Sequence, residues 1–262
     1  MDRIIFLGTA GARVTVFKQI RASGGIWLTL DDTNILIDPG PGSLIRCLRS
    51  KAKLNPENLD AIILSHKHLD HSADVNVMIE AMTGGGFKKK GILFAPIDAL
   101  EQDPVVLRYL RNYPDKIEIL REGAKYTVKN VKFTTPIRHI HGVETYGINF
   151  VDKRASLSYI TDTRYFEAIS NHYKGDILII NVVRLKPSQY DHLCLEDAKN
   201  IIKTVNPKLA ILTHFGMTMI KAKPWELADK LSSELGTKVI AASDGMSLNL
   251  SSIAESTSRE KS

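Results

Sequence analysis

Short apolar runs recur along the whole 262-residue chain, with turn-forming residues between them. Brief runs rich in Ile, Leu, Val, Phe and Tyr are typical of buried strands. The runs read RIIFLG, IWLTL, NILID, AIILS, GILFA, KIEIL, VKFTT, YGINF, SLSYI, DILII, KLAILT, KVIAA and SLNL. The chain therefore has enough predicted strands for two sheets.

Helical patterns lie between some of these runs, near Gly42–Ser50, Ser72–Met82, Leu195–Val205 and Pro224–Leu235. Strands come first in groups and then alternate with helices, which indicates an α/β protein. Helices covering the outer faces of two stacked sheets would bury apolar runs on both sides. A single doubly wound sheet is the alternative from the pattern alone. Since no repeat or clear linker interrupts the chain, we predict one domain over residues 1–262.

The composition is that of an ordinary globular protein, with 44% hydrophobic and 24% charged residues. No run of about 18 apolar residues predicts a membrane span, and the start, MDRIIFLGTAGA, resembles a first strand more than a signal peptide. The net charge of +6 favours anionic substrates without establishing nucleic-acid binding. The only two cysteines, Cys47 and Cys194, lie far apart, which predicts no disulfide and fits a cytoplasmic location.

Three histidines and an aspartate fall within six residues directly after the run AIILS. They are His66, His68, Asp70 and His71. The chain has only eight histidines, so a chance surface cluster is a weak alternative. A strand end that opens into a loop is where α/β sheets place ligands. Imidazole and carboxylate together suit zinc, manganese or iron, so the segment predicts a metal site.

Further ligands must come from elsewhere in the chain. His139 and His141 lie in RHIHG, while Asp162 and His214 each follow an apolar strand directly. Any one of these residues alone could have a structural role. Their repeated position at strand ends predicts that they converge on one edge of the fold.

These motifs carry a resemblance that covers most of the chain. The order is LGTAGA, LIDPGPG, H-x-H-x-D-H, a later histidine, an aspartate, a last histidine and SDGM. In this the sequence resembles the metallo-β-lactamase-fold hydrolases, in particular the phosphodiesterase branch that includes ribonuclease Z. The resemblance implies an αββα sandwich of two mixed sheets flanked by helices, with the active site at one edge.

The resemblance also implies two divalent metal ions per chain, zinc or manganese rather than iron. The implied ligands are His66, His68 and His141 for one metal, Asp70, His71 and His214 for the other, and Asp162 as the bridge. His141 is preferred to His139 because its spacing to the Tyr146-Gly147 pair matches the family pattern. Asp38, in LIDPGPG, would orient a ligand histidine from behind as well as forming a turn.

His192 stands apart from the ligand set, in QYDHLCLEDA. A histidine in this place in the phosphodiesterase branch contacts the scissile phosphate and donates a proton, so the resemblance implies His192 and Asp70 as catalytic residues. The alternative for His192 is a surface position at a helix start. Glu196, four residues on, could support it if the segment is helical.

The expected reaction is attack of a metal-bridging hydroxide on a phosphodiester, with metals roughly 3.5–4 Å apart. The long tRNA-gripping arm of ribonuclease Z has no counterpart here, because His141 and Asp162 are only 21 positions apart. The sequence between them predicts two strands and a turn around Asp152-Lys153-Arg154. Processing of tRNA 3′ ends is therefore disfavoured, and a small cyclic or linear phosphodiester is the expected substrate. This compactness is similar to the phosphoribosyl cyclic phosphodiesterase, but without its cysteine-rich zinc site.

Three alternatives belong to other classes: a β-lactam, thioester or other acyl hydrolase on the same fold, an iron redox module, and a nucleic-acid-binding protein with a degenerate site. The redox module would need a flavin domain, and the complete ligand set argues against degeneration. The expected partner is therefore a small substrate rather than a nucleic acid, and no membrane partner is expected. A second copy of the chain is a further possible partner, since relatives are commonly dimers. The loops Thr9–Gln19, Thr83–Lys90 and Phe215–Lys223 are expected to shape the pocket. Lys88–Lys90, after three glycines, is either a plain solvated connection or a charged lid.

Overall fold

The computed structural model describes residues 2–151 and 156–250 as two seven-stranded sheets. The first sheet has the order β14-β1-β2-β3-β4-β5-β6, with β1 Arg3–Phe6, β2 Ile26–Leu30, β3 Thr33–Ile37, β4 Ala61–Ile63, β5 Ile92–Ala95, β6 Lys116–Ile119 and β14 Ser247–Asn249. The second has the order β13-β12-β11-β10-β9-β8-β7, with β7 Ala124–Val128, β8 Val131–Thr135, β9 Ile148–Val151, β10 Leu157–Ile160, β11 Ile177–Asn181, β12 Leu209–Thr213 and β13 Lys238–Ala241. Both sheets mix parallel and antiparallel pairs.

Eight α-helices accompany the strands in the described ranges. They are α1 Ala12–Phe17, α2 Ser43–Leu48, α3 Leu69–Ser72, α4 Val75–Met82, α5 Ile169–His172, α6 Leu195–Val205, α7 Met217–Lys221 and α8 Pro224–Leu235. None of them reaches the length and apolarity required to cross a lipid bilayer.

Alternation along the strands builds three apolar layers, because successive side chains of a strand point to opposite faces. In β4, Ile63 packs between the two sheets, while Ile62 packs outward with Met78 of α4. In β11, Ile179 faces the other sheet, whereas Ile180 packs outward in the layer that includes residues of α6 and α8. The layered αββα sandwich is thereby confirmed against the single doubly wound sheet.

The predicted elements match closely, with a few differences. Strand β7 was missed because it alternates exposed and buried residues, with only Tyr126 and Val128 fully inside. The helix expected over Ser72–Met82 is split into α3 and α4. The turn predicted at Asp152–Arg154 lies outside the described residues.

The loop Thr83–Lys90 was expected near the pocket, and that prediction is wrong. It precedes β5, which runs parallel to β4, so it lies at the amino edge of the sheet, whereas the histidine motif follows the carboxyl end of β4. Nζ of Lys90 donates to the carbonyl of Glu57, just before β4. Lys88 and Lys89 are exposed. A plain solvated connection is therefore the correct reading, and a lid at this loop is excluded.

Candidate metal centre

Parallel pairing in both sheets brings the predicted strand-end residues to one edge. In the first sheet β3 pairs parallel with β4, and Asp38 and His66 follow them. In the second sheet β10, β11 and β12 are parallel, and Asp162 and His214 follow β10 and β12. The carboxyl ends of parallel strands meet at one edge, so convergence of these side chains follows from the topology.

The first cluster consists of three imidazoles, His66, His68 and His141. One ring nitrogen from each lies within 4.8 Å of the other two. Burial lowers the pKa of His66 well below its usual value and that of His68 to about 4. These rings are therefore neutral at pH 7, which is the form in which imidazole offers a lone pair to a metal.

The second cluster mixes carboxylates with imidazoles: Asp70, His71, Asp162 and His214, again within 4.8 Å. Nε2 of His71 lies 3.2 Å from Nε2 of His214. Oδ2 of Asp162 lies 3.6 Å from the former and 3.4 Å from the latter. Oδ2 of Asp70 lies 3.5 Å from Nε2 of His214.

Opposing effects act on the pKa values of this cluster. Burial alone would lower the pKa of His214, but the Asp162 and Asp70 carboxylates outweigh it and raise that pKa to about 9. Burial would likewise raise the pKa of Asp162, yet the nearby histidines hold it well below the usual range. The carboxylates thus favour positive charge at this point, where a cation can replace the proton.

Asp162 connects the two clusters. It also forms a third group within 4.8 Å, together with His141 and His192. A carboxylate that lies close to ligands of both clusters suits the bridging role that the family resemblance implied for Asp162.

Asp38 lies behind the second cluster, as expected. Its Oδ2 lies 3.0 Å from Nδ1 of His71. The Asp38 carboxylate also accepts hydrogen bonds from the backbone amide and the hydroxyl of Ser65 and from the hydroxyl of Tyr159. These contacts fix the carboxylate and leave Nε2 of His71 directed into the cluster.

The glycines of the first loops allow backbone to pack tightly against the ligand residues. A Cβ on Gly11 would lie 2.2 Å from the carbonyl oxygen of His214. His214 itself has a φ of 58°, in the left-handed region that costs a non-glycine residue some strain. The segments Thr9–Gln19 and Phe215–Lys223, expected as loops, contain the short helices α1 and α7, and they meet here through the pairing of Ala10 with Phe215.

The choice of His141 over His139 agrees with the geometry. Both ring nitrogens of His139 are used internally, one 2.7 Å from the hydroxyl of Tyr173 and the other 3.2 Å from the carbonyl of Asp162. His141 uses Nδ1 on the carbonyl of Asp191, 2.9 Å away, and directs Nε2 to the cluster.

His192 lies at the same edge, on the side of His141. Its Nε2 is 3.4 Å from Oδ2 of Asp162, and its Nδ1 is buried without a hydrogen-bond partner among the described residues. The expected support from Glu196 is wrong, because α6 begins only at Leu195 and the two residues do not share a helical face.

Two residues that support the centre, Asn181 and Asp191, were not predicted. Nδ2 of Asn181 donates to Oδ1 of Asp162 over 2.9 Å. The carbonyl of Asp191 holds His141, and the Asp191 carboxylate pairs with Arg164 at 2.6 Å. Asn181 does end an apolar strand, so the rule that nominated Asp162 would have found it. No local signal marks Asp191.

The donor set fits divalent metals. Nε2 of His66 is completely buried and has no hydrogen-bond partner in the described part of the chain. Such an atom is costly unless something ligates it. Five imidazoles and two carboxylates, without a cysteine, are nitrogen and oxygen donors of the kind that bind divalent metal ions. The thiols of Cys47 and Cys194 are free and buried.

Comparison with known proteins agrees with this architecture. The profile of the family described as "Beta-lactamase superfamily domain" matches residues 33–215. The protein MJ1374 of Methanocaldococcus jannaschii is 30% identical over 94% of both chains. Ribonuclease Z 1 of Schizosaccharomyces pombe is 26% identical over 96% of this chain but only 35% of its own length.

A third relative is known both by sequence and by structure. The probable metallo-hydrolase YhfI of Bacillus subtilis is 26% identical over 74% of this chain and 80% of its own. The crystal structure of this metallo-beta-lactamase fold protein superimposes with a TM-score of 0.79, over 95% of this chain and all of the other, at 20% identity.

Proposed function

This chain belongs to the beta-lactamase superfamily, whose fold supports a metal-dependent hydrolase, and from that premise we propose that it hydrolyses small cyclic or linear phosphodiesters. The observation that carries the proposal is the position of His192. An imidazole 3.4 Å from the carboxylate between both clusters is within reach of a leaving oxygen bound there.

The side chains of the centre have three roles in the proposal: metal binding, orientation of the ligands and proton donation. In the proposal His66, His68 and His141 would hold one divalent ion, Asp70, His71 and His214 would hold a second, and the Asp162 carboxylate would be available to both. Zinc or manganese bound there would supply positive charge that stabilises a phosphoryl transition state and would activate a water molecule. Asp38 and Asn181 orient His71 and Asp162, and His192 gives its proton to the leaving oxygen.

The short segment between His141 and Asp162 supports a small substrate. It contributes β9 and β10, which pair antiparallel, and His141 and Asp162 are only 21 positions apart. This leaves no length for an arm that grips a folded RNA, which supports a small substrate. A tRNA or other RNA substrate is the second candidate, because Ribonuclease Z 1 is a sequence relative.

An acyl or β-lactam hydrolase is the remaining alternative, since both clusters alone could serve any of these reactions. We further propose a cytoplasmic protein with no membrane partner, and a homodimer as its assembly.

The test begins with metal analysis of the purified protein. Bis(4-nitrophenyl) phosphate, 4-nitrophenyl phosphate and a chromogenic β-lactam are then assayed side by side, together with a tRNA precursor. We expect two equivalents of metal per chain and turnover of the diester well above that of the monoester and the lactam. Hydrolysis of the lactam alone would overturn the proposal. Cleavage of the tRNA precursor at higher efficiency than the diester would replace the small substrate with RNA.

A further inference from the structure

A loop with an exposed aromatic ring borders the centre on the side of His192. It runs from Arg184 to His192. Backbone hydrogen bonds hold its two ends together, because the amide of Arg184 donates to the carbonyl of Leu193 and the amide of Leu195 donates to the carbonyl of Arg184. Nα of His192 donates to the carbonyl of Tyr190 at 2.8 Å, so these two residues are fixed relative to each other.

Tyr190 is 53% exposed. The guanidinium of Arg184 lies over the ring, 4.8 Å from its centroid. Nε of Arg184 is buried and has no hydrogen-bond partner among residues 2–151 and 156–250. The cation therefore supports the ring from one face, in a cation–π contact, and leaves ring surface accessible to a ligand.

The loop does not need this ring to keep its position. Asp191 is held by Arg164, with Nε at 2.8 Å, and its carbonyl accepts the bond from His141. Nα of Leu185 donates to Oγ1 of Thr218. The apolar layers contain neighbouring Leu193 but not Tyr190. The aromatic side chain is thus available for a partner rather than required for packing.

We propose that Tyr190, supported by Arg184, stacks against a nucleobase in the leaving group of the substrate. The inference rests on the proposed function, because a proton donated by His192 places the leaving group on this side of the centre. Every nucleobase has a π face, and stacking on an aromatic side chain is a common mode of recognition. The substrate class is then a nucleotide-derived phosphodiester, in which a nucleoside leaves through its 5′ oxygen.

The test compares binding of adenosine 5′-monophosphate with that of ribose 5-phosphate to the purified protein, by calorimetry. The two probes share the phosphate and the sugar and differ in the base. We expect the nucleotide to bind about tenfold more tightly, which is within the range of one stacked base. Tyr190→Leu should reduce this ratio to about one, whereas Tyr190→Phe should retain it.

Tyr109→Leu is the matched control, since Tyr109 is 61% exposed and its ring lies 6.4 Å from that of Tyr113, which borders Gly86 in the loop at the amino edge of the sheet. In this variant the ratio of the affinities for the nucleotide and the sugar phosphate should equal that of the unaltered protein. Equal binding of the two probes, or a ratio unchanged by Tyr190→Leu, would overturn the inference. Binding of the probes requires no turnover. A protein that retains the ratio but hydrolyses no phosphodiester would instead contradict the proposed function.

Discussion

Oδ2 of Asp38 lies 3.0 Å from Nδ1 of His71, and Nε2 of the same ring is thereby directed at His214. Loss of such an outer partner typically weakens metal binding about 10–100-fold. We expect Asp38→Asn to weaken binding by that factor, measured by chelator competition. Asp60→Asn is the control, because Asp60 is also buried and accepts a backbone N–H from Asn34, but at the opposite edge. Equal weakening in both variants would contradict the orienting role.

Replacement of His192 separates catalysis from metal binding. His192→Ala should keep its metals and lose about 10²–10⁴-fold in turnover, the usual contribution of a general acid. Asp162→Ala should lose both metal and activity, since its carboxylate neighbours both clusters. Metal content by mass spectrometry and steady-state assays of the same preparations give the two readouts. Loss of metal from His192→Ala would make His192 a ligand, together with His141 and Asp162.

A methyl group at Gly11 tests the tight backbone packing. Gly11→Ala brings a Cβ to 2.2 Å from the carbonyl of His214, so the backbone must shift. We expect a loss of about 1–3 kcal/mol in the free energy of unfolding, measured with urea. A Cβ on Gly142 meets nothing within 4 Å. Gly142→Ala should therefore change stability by no more than about 0.5 kcal/mol, and a similar loss in both variants would be inconsistent with the clash.

Metal binding should stabilise the fold. A ligand that binds only the folded state, at one hundred times its Kd, adds about 2.7 kcal/mol. For a chain of this size that corresponds to a rise in Tm of roughly 5–10 °C. Thermal unfolding of chelator-treated protein with and without added zinc or manganese measures it. Asp162→Ala should show little of this rise, and an undiminished rise would place the stabilising ion elsewhere.

The buried thiol of Cys47 predicts a loss of stability at alkaline pH. Burial, with a smaller effect of Asp74, raises the pKa of Cys47 to about 12, whereas an unfolded thiol titrates near 8.5. Above about pH 8.5 the unfolded chain loses a proton that the folded chain keeps, so stability falls as the pH rises. Between about pH 8.5 and 10 the loss should approach 2 kcal/mol. Urea unfolding at several pH values checks this, and Cys47→Ala should lack this contribution.

The convergence of several site residues was predictable from one local rule, whereas the assignment of ligands to each metal came from the family resemblance. Buried apolar strands end in His66, Asp162 and His214, and parallel strands share an edge. Asp38 could be nominated for the same reason, from its place after β3. Only the pairing of strands was needed to bring these residues together, and the apolar runs favour that pairing.

The unpredicted features depend on contacts distant in sequence. His139 is engaged by Tyr173, 34 positions away, and Nδ1 of His141 by the carbonyl of Asp191, 50 positions away. The misplacement of Thr83–Lys90 has a different cause. Glycines and lysines indicate a loop, but the edge on which a loop lies follows from strand direction, which the residues of the loop do not encode.

Each cluster takes its members from both sheets. His66 and His68 follow β4, but their third member, His141, comes after β8. Asp70 and His71 are likewise completed by Asp162 and His214. Neither half of the polypeptide possesses either cluster alone. A nascent chain, or one whose sheets have come apart, offers only part of each cluster. Acquisition of metal would therefore report that the two halves have docked, and its release would be an early sign that they have separated.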